Sequence, residues 1–234
     1  MLNAVRRRLP LAMRADAVEL LDSGRLSLPD VERNLADIAR LNRLPGGTAT
    51  SVDAIRRLAG SRPGIQVVDV GTGRADMPIA FAELGWQVTA LDSNPDVLVV
   101  ARRETRGHPR IDVVAGDARR LPFPDEAFDV AHCSLLLHHL GPGEAATVLH
   151  EMARVSRLGI VVNDLRRGVA PLVTTWVATI LLARSGVTRH DGLASARRAY
   201  TVAEVDALVE RAGLVRRWRS RAWLPRIVTV AARP

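Results

Sequence analysis

The chain has 234 residues and a formal charge of +8, and every basic residue is an arginine. The absence of lysine excludes a P-loop lysine, a Schiff-base lysine and a Tyr-Lys reductase pair. A hydrophobic fraction of 47% suffices for the core of one large domain, or of one domain with a small appendage.

Arginine-only usage is discounted as a sign of nucleic-acid binding, and no nucleic-acid partner is expected. The single cysteine, Cys133, leaves no disulfide framework and points to a cytoplasmic setting. The basic N-terminal stretch lacks a continuous apolar signal core. The most apolar run, Val169 to Ala183, is broken by Pro171, Thr174, Thr175 and Thr179. It falls short of the roughly 20 apolar residues of a membrane span, so stable insertion is not expected.

In chain order, residues 1 to about 60 read as helices. Val31, Leu35, Ile38 and Leu41 recur at helical spacing, and Pro45-Gly46-Gly47 ends that segment. Thr50 or Ser51 is a candidate cap for a helix through Leu58. From Ile65 onward, short apolar runs alternate with helical stretches. The expected strands are Gln66–Val70, Gln87–Leu91, Ile111–Val114, Phe128–Cys133 and Gly159–Asn163, with helices near 76–84, 95–105 and 144–156. Such alternation predicts a doubly wound α/β fold, a parallel sheet with helices on both faces. After Asp164 come an apolar helix over about 169–183, a polar loop, and a helix opened by the capping box Thr201-Val202-Ala203-Glu204. Two strand-like runs, about Leu214–Trp223 and Arg226–Ala231, are expected to form an antiparallel hairpin at one sheet edge.

The stretch Val67 to Pro78, VVDVGTGRADMP, carries the chemistry. In an open parallel sheet a ligand sits beyond the carboxyl ends of the strands. Gly71-Thr72-Gly73 would lie there, and Asp92, 21 residues after Gly71, would end the second strand where a carboxylate accepts from a ribose diol. The third glycine of a dinucleotide fingerprint is replaced by Asp76. With Asp69, it surrounds the loop with negative charge that suits a cation better than a pyrophosphate. S-adenosylmethionine carries a sulfonium and an ammonium and no phosphate. Asp117 follows the third strand, where its carboxylate could accept from an adenine amino group, with Ala118 offering a backbone N–H.

This ordered set, with LDSN at 91–94, GDARRLPFPDEAFD at 116–129 and SLLLHHL at 134–140, resembles the class I S-adenosylmethionine-dependent methyltransferases of the small-molecule type. The resemblance spans about residues 65–163 and implies a Rossmann-like, mostly parallel seven-stranded sheet with an antiparallel last strand. It implies S-adenosyl-L-methionine as cofactor, held by Asp69, Gly71, Thr72, Gly73, Asp92, Ser93, Asp117, Ala118 and Ser134. Gly71 and Gly73 would line the methionine part, Asp92 the ribose, and Asp117 with Ala118 the adenine. Asp69 is expected to fix the glycine loop through backbone N–H groups. The expected organisation is an N-terminal helical cap over 1–60, a methyltransferase domain over 61–234, and a helical lid inserted at about 167–200.

Methyl transfer draws much of its rate from positioning, and a base matters when the acceptor must lose a proton. His138 and His139, just after the fourth strand, are the expected catalytic residues. His190-Asp191 is a second base candidate, and His132 and His150 are expected to be structural. Arg166, Trp176 and Tyr200 are the expected substrate contacts, with packed or solvated roles as alternatives. The helix over 169–183, apolar on nearly all faces, is expected to be a buried lid over an apolar substrate, or a dimer interface. The expected activity is O-methylation of a small apolar or aromatic, polyketide- or quinone-like acceptor, with a homodimer possible. The competing classes are an RNA or protein methyltransferase, a nicotinamide-dependent reductase, and a non-catalytic S-adenosylmethionine-binding protein.

Overall fold

Successive residues of the first strand, Gln66–Val70 (β1), feed two different cores. The computed structural model is described for residues 14–15, 19–21, 26–221 and 225–234. Val68 and Val70 pack with Leu149 and Met152 of the helix Pro142–Val155 (α5), and with Val205, Leu208 and Val209 of Val202–Arg211 (α8). Val67 faces the other way, onto Ala54, Ile55 and Ala59 of Thr48–Ala59 (α2) and Met77 and Phe81 of Asp76–Glu83 (α3). A sheet covered on both faces needs near-continuous apolar strands, which is the pattern the sequence shows.

The other strands are Gln87–Asp92 (β2), Ile111–Ala115 (β3), Phe128–Ser134 (β4), Ser156–Leu165 (β5), Val215–Arg219 (β6) and Arg226–Ala232 (β7). They form one seven-stranded sheet in the order β3-β2-β1-β4-β5-β7-β6. The pairs β1 to β2, β1 to β4, β2 to β3 and β4 to β5 are parallel. β7 is antiparallel to both β5 and β6, so the terminal hairpin inserts its second strand next to β5. The end of the expected run at Trp223 lies outside the described residues. Strand order reverses between β1 and β4, which puts the ligand crevice beyond their carboxyl ends.

Pro95–Glu104 (α4) follows β2, and its N-cap is Asn94, whose side chain accepts from the Asp96 and Val97 amides. Asp92 is therefore left for other work. Leu28–Leu41 (α1) packs Val31 and Leu35 on Val97 and Val100 of α4. Gly47, not Thr50 or Ser51, opens α2.

Two features after β5 differ from expectation. The segment taken for a polar loop contains a helix, Gly186–Arg198 (α7), capped by Ser185. The apolar helix Val169–Leu182 (α6) is not buried: Val173, Trp176, Ile180 and Leu181 are exposed, Leu181 by 74%, and Pro171 and Thr179 are its buried residues. α1 fastens the two helices. The buried Asp37 Oδ2 accepts from the amides of Arg184 and Ser185 at 3.0 and 2.8 Å, and Asn34 Nδ2 donates to Thr188 Oγ1 at 3.2 Å. Among the described residues no helix is long and apolar enough to cross a membrane.

Candidate active site

A cavity of about 510 Å³ lies beyond the carboxyl ends of β1, β2, β4 and β5, and α1, α6 and α7 roof it. That volume falls in the range of roughly 300–1,000 Å³ typical of small-molecule sites.

One wall is the glycine loop. Gly71 and Gly73 take φ of +74° and +55°, and a Cβ on Gly71 would sit 3.1 Å from Leu136 Cδ1. Left-handed backbone and this closeness both favour glycine. Both Gly71 N and Thr72 N donate to Leu91 O, which ties the loop to β2. The buried Asp69 accepts the Thr72 hydroxyl at 2.8 Å, and its other oxygen lies 2.6 Å from His132 Nδ1. Its grip on the loop is thus through a hydroxyl rather than the expected backbone N–H groups.

His132 continues the chain to Ser51 Oγ at 2.9 Å, and Asn163 Nδ2 donates to that oxygen at 2.8 Å. Because Ser51 receives from Asn163, its hydroxyl hydrogen is available for His132 Nε2, and His132 Nδ1–H donates to Asp69. The chain is fully buried, a structural role for His132.

Asp92 ends β2 at the cavity. Its Oδ2 accepts from Gly73 N at 3.2 Å and its Oδ1 from Asn94 N at 3.0 Å. Burial pushes its carboxyl above the ordinary value, outweighing these donors. Burial does the same to Asp76, which accepts from Asn42 Nδ2 at 2.8 Å.

A residue missed in the sequence extends this line. Arg226, the first of β7, is buried and donates to Asn42 Oδ1 at 2.8 Å and Ser134 Oγ at 3.0 Å. Burial lowers its guanidinium to about 10 despite Asp164 and Asp76. Its Nε has no hydrogen-bond partner among the described residues. In the sequence Arg226 was one arginine of many in a terminal strand, with no signal beyond its place after Pro225.

The second wall bears the histidines. β4 ends at Ser134, and a 3₁₀ turn, Leu137–His139, carries His138 and His139 to the cavity. His138 is buried. Its Nδ1 is 2.6 Å from Asp164 Oδ1, and its backbone N–H donates to Asp164 Oδ2 at 3.2 Å. Burial acts to raise the Asp164 carboxyl, and the interactions with His138 outweigh it, leaving it below the ordinary range. Glu19 reaches in from the N-terminal segment, Oε1 3.6 Å from His138 Nε2 and Oε2 3.7 Å from His139 Nε2.

The cavity brings together Asp69, Gly71, Thr72, Gly73, Asp92, Ser93, Ala118, Ser134, His138 and His139. Four expected residues stand apart. Asp117 is exposed and ion-paired with Arg119 at 2.8 Å, while its neighbours Gly116 and Ala118 line the wall. Tyr200 is buried, its hydroxyl donating to Leu140 O at 2.7 Å, outside the cavity wall. Arg166 also lies off the wall, its backbone N–H on Pro225 O and its main chain bridged to Tyr200. Trp176 is 47% exposed on the outer face of α6, and Thr174, Thr175, Ala178 and Thr179 line the cavity instead. His190 pairs with Asp191 at 2.9 Å and is exposed. Asp191 itself is buried, holding the Leu20 and Leu21 amides.

S-adenosylmethionine fits these residues. Asp69, Asp76 and Asp92 give the loop negative potential for a sulfonium and an ammonium, and the guanidinium of Arg226, which also lines the cavity, supplies a cation for a carboxylate.

Residues 67–159 match the family model described as a methyltransferase domain. Over 172 residues the chain is 33% identical to the demethylmenaquinone methyltransferase of Mycobacterium sp. (strain KMS), covering 70% of each protein. Over 108 residues it is 38% identical to the demethylmenaquinone methyltransferase of Renibacterium salmoninarum, 46% of this chain and 42% of that one. For the first such relatives the match spans about half of their length. Among solved structures, a SAM-dependent methyltransferase from Aquifex aeolicus superposes with a TM-score of 0.64 at 18% identity, covering 88% of this chain and 98% of that one. That likeness is one of fold.

Proposed function

The chain belongs to the class I S-adenosylmethionine-dependent methyltransferases, and from that premise we propose that it methylates an oxygen of a small, apolar aromatic acceptor of quinone or polyketide type. The observation that carries this reading is that one cavity joins the two walls. It holds the glycine loop and Asp92 on one wall, His138 and His139 on the other, and an uncharged roof of Thr174, Thr175, Ala178 and Thr179. The names of the relatives, demethylmenaquinone methyltransferases, support a quinone-like acceptor.

S-adenosylmethionine supplies a methyl group already activated by its sulfonium. Asp92 binds the ribose diol, and the backbone of Gly71 and Gly73 admits the methionine part closely. Arg226 holds the carboxylate of that part, and Asp76 lies near enough to favour the ammonium. Gly116 and Ala118 border the adenine. The acceptor fills the space between this wall and α6, its nucleophilic oxygen against the Nε2 side of His138 and His139, where its proton is lost. Asp164 keeps the His138 ring turned for this task. Roof helices that exclude water hold the two reactants in line.

The test is turnover with labelled S-adenosylmethionine on a panel of hydroquinones and phenols, in the wild-type chain and in His138→Ala. Turnover in the wild type and its loss in the variant, with cofactor affinity unchanged, is the expected result. A chain that binds the cofactor and labels no acceptor would be a binding protein instead.

A further inference from the structure

We propose that Glu19, His138 and His139 form a binding site for one divalent cation of the Zn²⁺ class, with its open side toward the acceptor. This rests on the proposed function only for what that open side meets.

The ligand atoms of these three residues all lie within 4.8 Å of one another. Glu19 Oε1 to His138 Nε2 is 3.6 Å and Glu19 Oε2 to His139 Nε2 is 3.7 Å, too long for good hydrogen bonds. Two ligands each about 2.1 Å from one metal at an angle near 120° stand roughly 3.6 Å apart, so the spacing suits a shared ion. The imidazole ring centroids are 4.2 Å apart with the planes at 34°, and each Nε2 lies within 3.7 Å of an oxygen of the same Glu19 carboxylate. Three protein ligands and an open position are the pattern of a catalytic rather than a structural site. Two imidazoles and one carboxylate suit Zn²⁺, Fe²⁺ or Co²⁺ and not Mg²⁺ or Ca²⁺.

The surroundings agree. A metal-binding histidine almost always gives its other ring N–H to a carboxylate or carbonyl, and His138 has Asp164 on Nδ1 at 2.6 Å. Glu19 and His138 are buried and His139 is largely so, which limits competing water. Two cations stand nearby. Arg14 donates to the carbonyl oxygen of His138, and Arg198 to that of His139. Arg198 Nη1 lies 3.8 Å from Glu19 Oε1, so it lowers the negative potential that the ion meets. Asp164 behind His138 offsets that charge. With a cation bound, both Nε2 atoms are ligands and cannot take the proton themselves; the cation would take the acceptor's oxygen as its next ligand, lower the pKa of the hydroxyl, and release the proton to water at the cavity mouth.

The test strips the full chain with a chelator and titrates it with Co²⁺, read by visible absorption, with elemental analysis after Zn²⁺ loading and dialysis. One equivalent should bind, and Mg²⁺ in excess should not displace it. Glu19→Gln and His139→Asn should each weaken Co²⁺ at least about tenfold, and Asp164→Asn about 10–100-fold. His190→Asn, which alters an exposed histidine, should change nothing. Circular dichroism of each variant confirms that it is folded. Because His139 is partly exposed, its variant keeps the test valid if Glu19→Gln unfolds. No stoichiometric Co²⁺ binding, or equal binding by wild type and folded His139→Asn, overturns the site. Calorimetry of S-adenosylmethionine with the stripped chain keeps the two readings apart. Cofactor binding without Co²⁺ binding overturns the metal site alone, whereas Co²⁺ binding without cofactor binding supports the metal site and overturns the proposed function.

Discussion

Nδ1 of His138 lies 2.6 Å from Oδ1 of Asp164, and Oδ2 of the same carboxylate accepts the backbone N–H of His138 at 3.2 Å. One carboxylate thus fixes both the ring and the turn that carries it. β5 supplies Asp164 and the segment after β4 supplies His138, so the pair exists only because these strands are parallel neighbours. Asp164→Asn should cut turnover about 10–100-fold. The affinity for S-adenosylmethionine, measured by calorimetry, should fall much less than turnover, because Asp164 touches neither the glycine loop nor Asp92 and acts on the cofactor side only through the charge it lends to Arg226. If turnover per folded molecule is unchanged and only the melting temperature falls, the pair is structural.

Arg226 should be read through two ligands. Arg226→Met removes a buried guanidinium on Asn42 and Ser134. A hydrogen bond to a charged group contributes about 1.5–3 kcal/mol, so S-adenosylmethionine should bind about 10–100-fold more weakly. Adenosine has no carboxylate and should bind the variant and the wild type alike. Equal losses for both ligands would mean that the substitution collapses the cavity floor and that Arg226 anchors nothing.

The two sides of α6 make opposite expectations. Trp176→Ala alters the exposed face and should leave the KM for the acceptor within about twofold. Ala178→Phe fills the cavity from its roof and should raise that KM at least about tenfold, with the KM for S-adenosylmethionine much less affected. Steady-state kinetics with one acceptor decides. A large KM effect from Trp176→Ala would restore that side chain to the substrate wall.

The raised carboxyls of Asp76 and Asp92 give cofactor binding a pH signature. Burial favours their protonated forms, so each titrates above the ordinary value of 3.8. A cationic ligand favours the carboxylates and lowers both pKa values, so binding releases protons in the window between the ligand-lowered values and the raised ones. Affinity should therefore climb as pH rises through that window and then level off. Calorimetry in buffers of different ionisation enthalpy measures the release. Proton uptake, or none anywhere in the window, would remove both carboxylates from the cation's surroundings.

The strands and the glycine loop were legible because local pattern determines them. A doubly covered strand must be apolar throughout, and a backbone at φ of +74° and +55° favours glycine at Gly71 and Gly73. Asp92 was legible because its distance from that loop is set by one β-α-β unit. Arg226 and Glu19 reach the cavity from segments far apart in the chain, and no local pattern marks them, whereas Asp164 was legible from its place at the end of the fifth strand. α7 escaped because its residues form no apolar stripe, and its capping serine resembles any loop serine. The sidedness of α6 was misjudged for the opposite reason. Its composition says buried, yet its threonines and Ala178 meet the cavity while Trp176 and Leu181 meet solvent. Composition measures how apolar a helix is, and only the packing against α1 and α7 decides which side is covered.

The most direct test of methyl transfer in this cavity is mass spectrometry of acceptors incubated with S-adenosylmethionine carrying a deuterated methyl group. Hydroquinones and phenols of graded size form the panel, and Asp92→Ala serves as the control. The expected result is a product heavier by one labelled methyl with the wild-type chain, and strongly reduced product with Asp92→Ala. A wild-type chain that binds S-adenosylmethionine and leaves every acceptor unlabelled contradicts the proposed transfer. Equal labelling by Asp92→Ala contradicts the placement of the cofactor on β2.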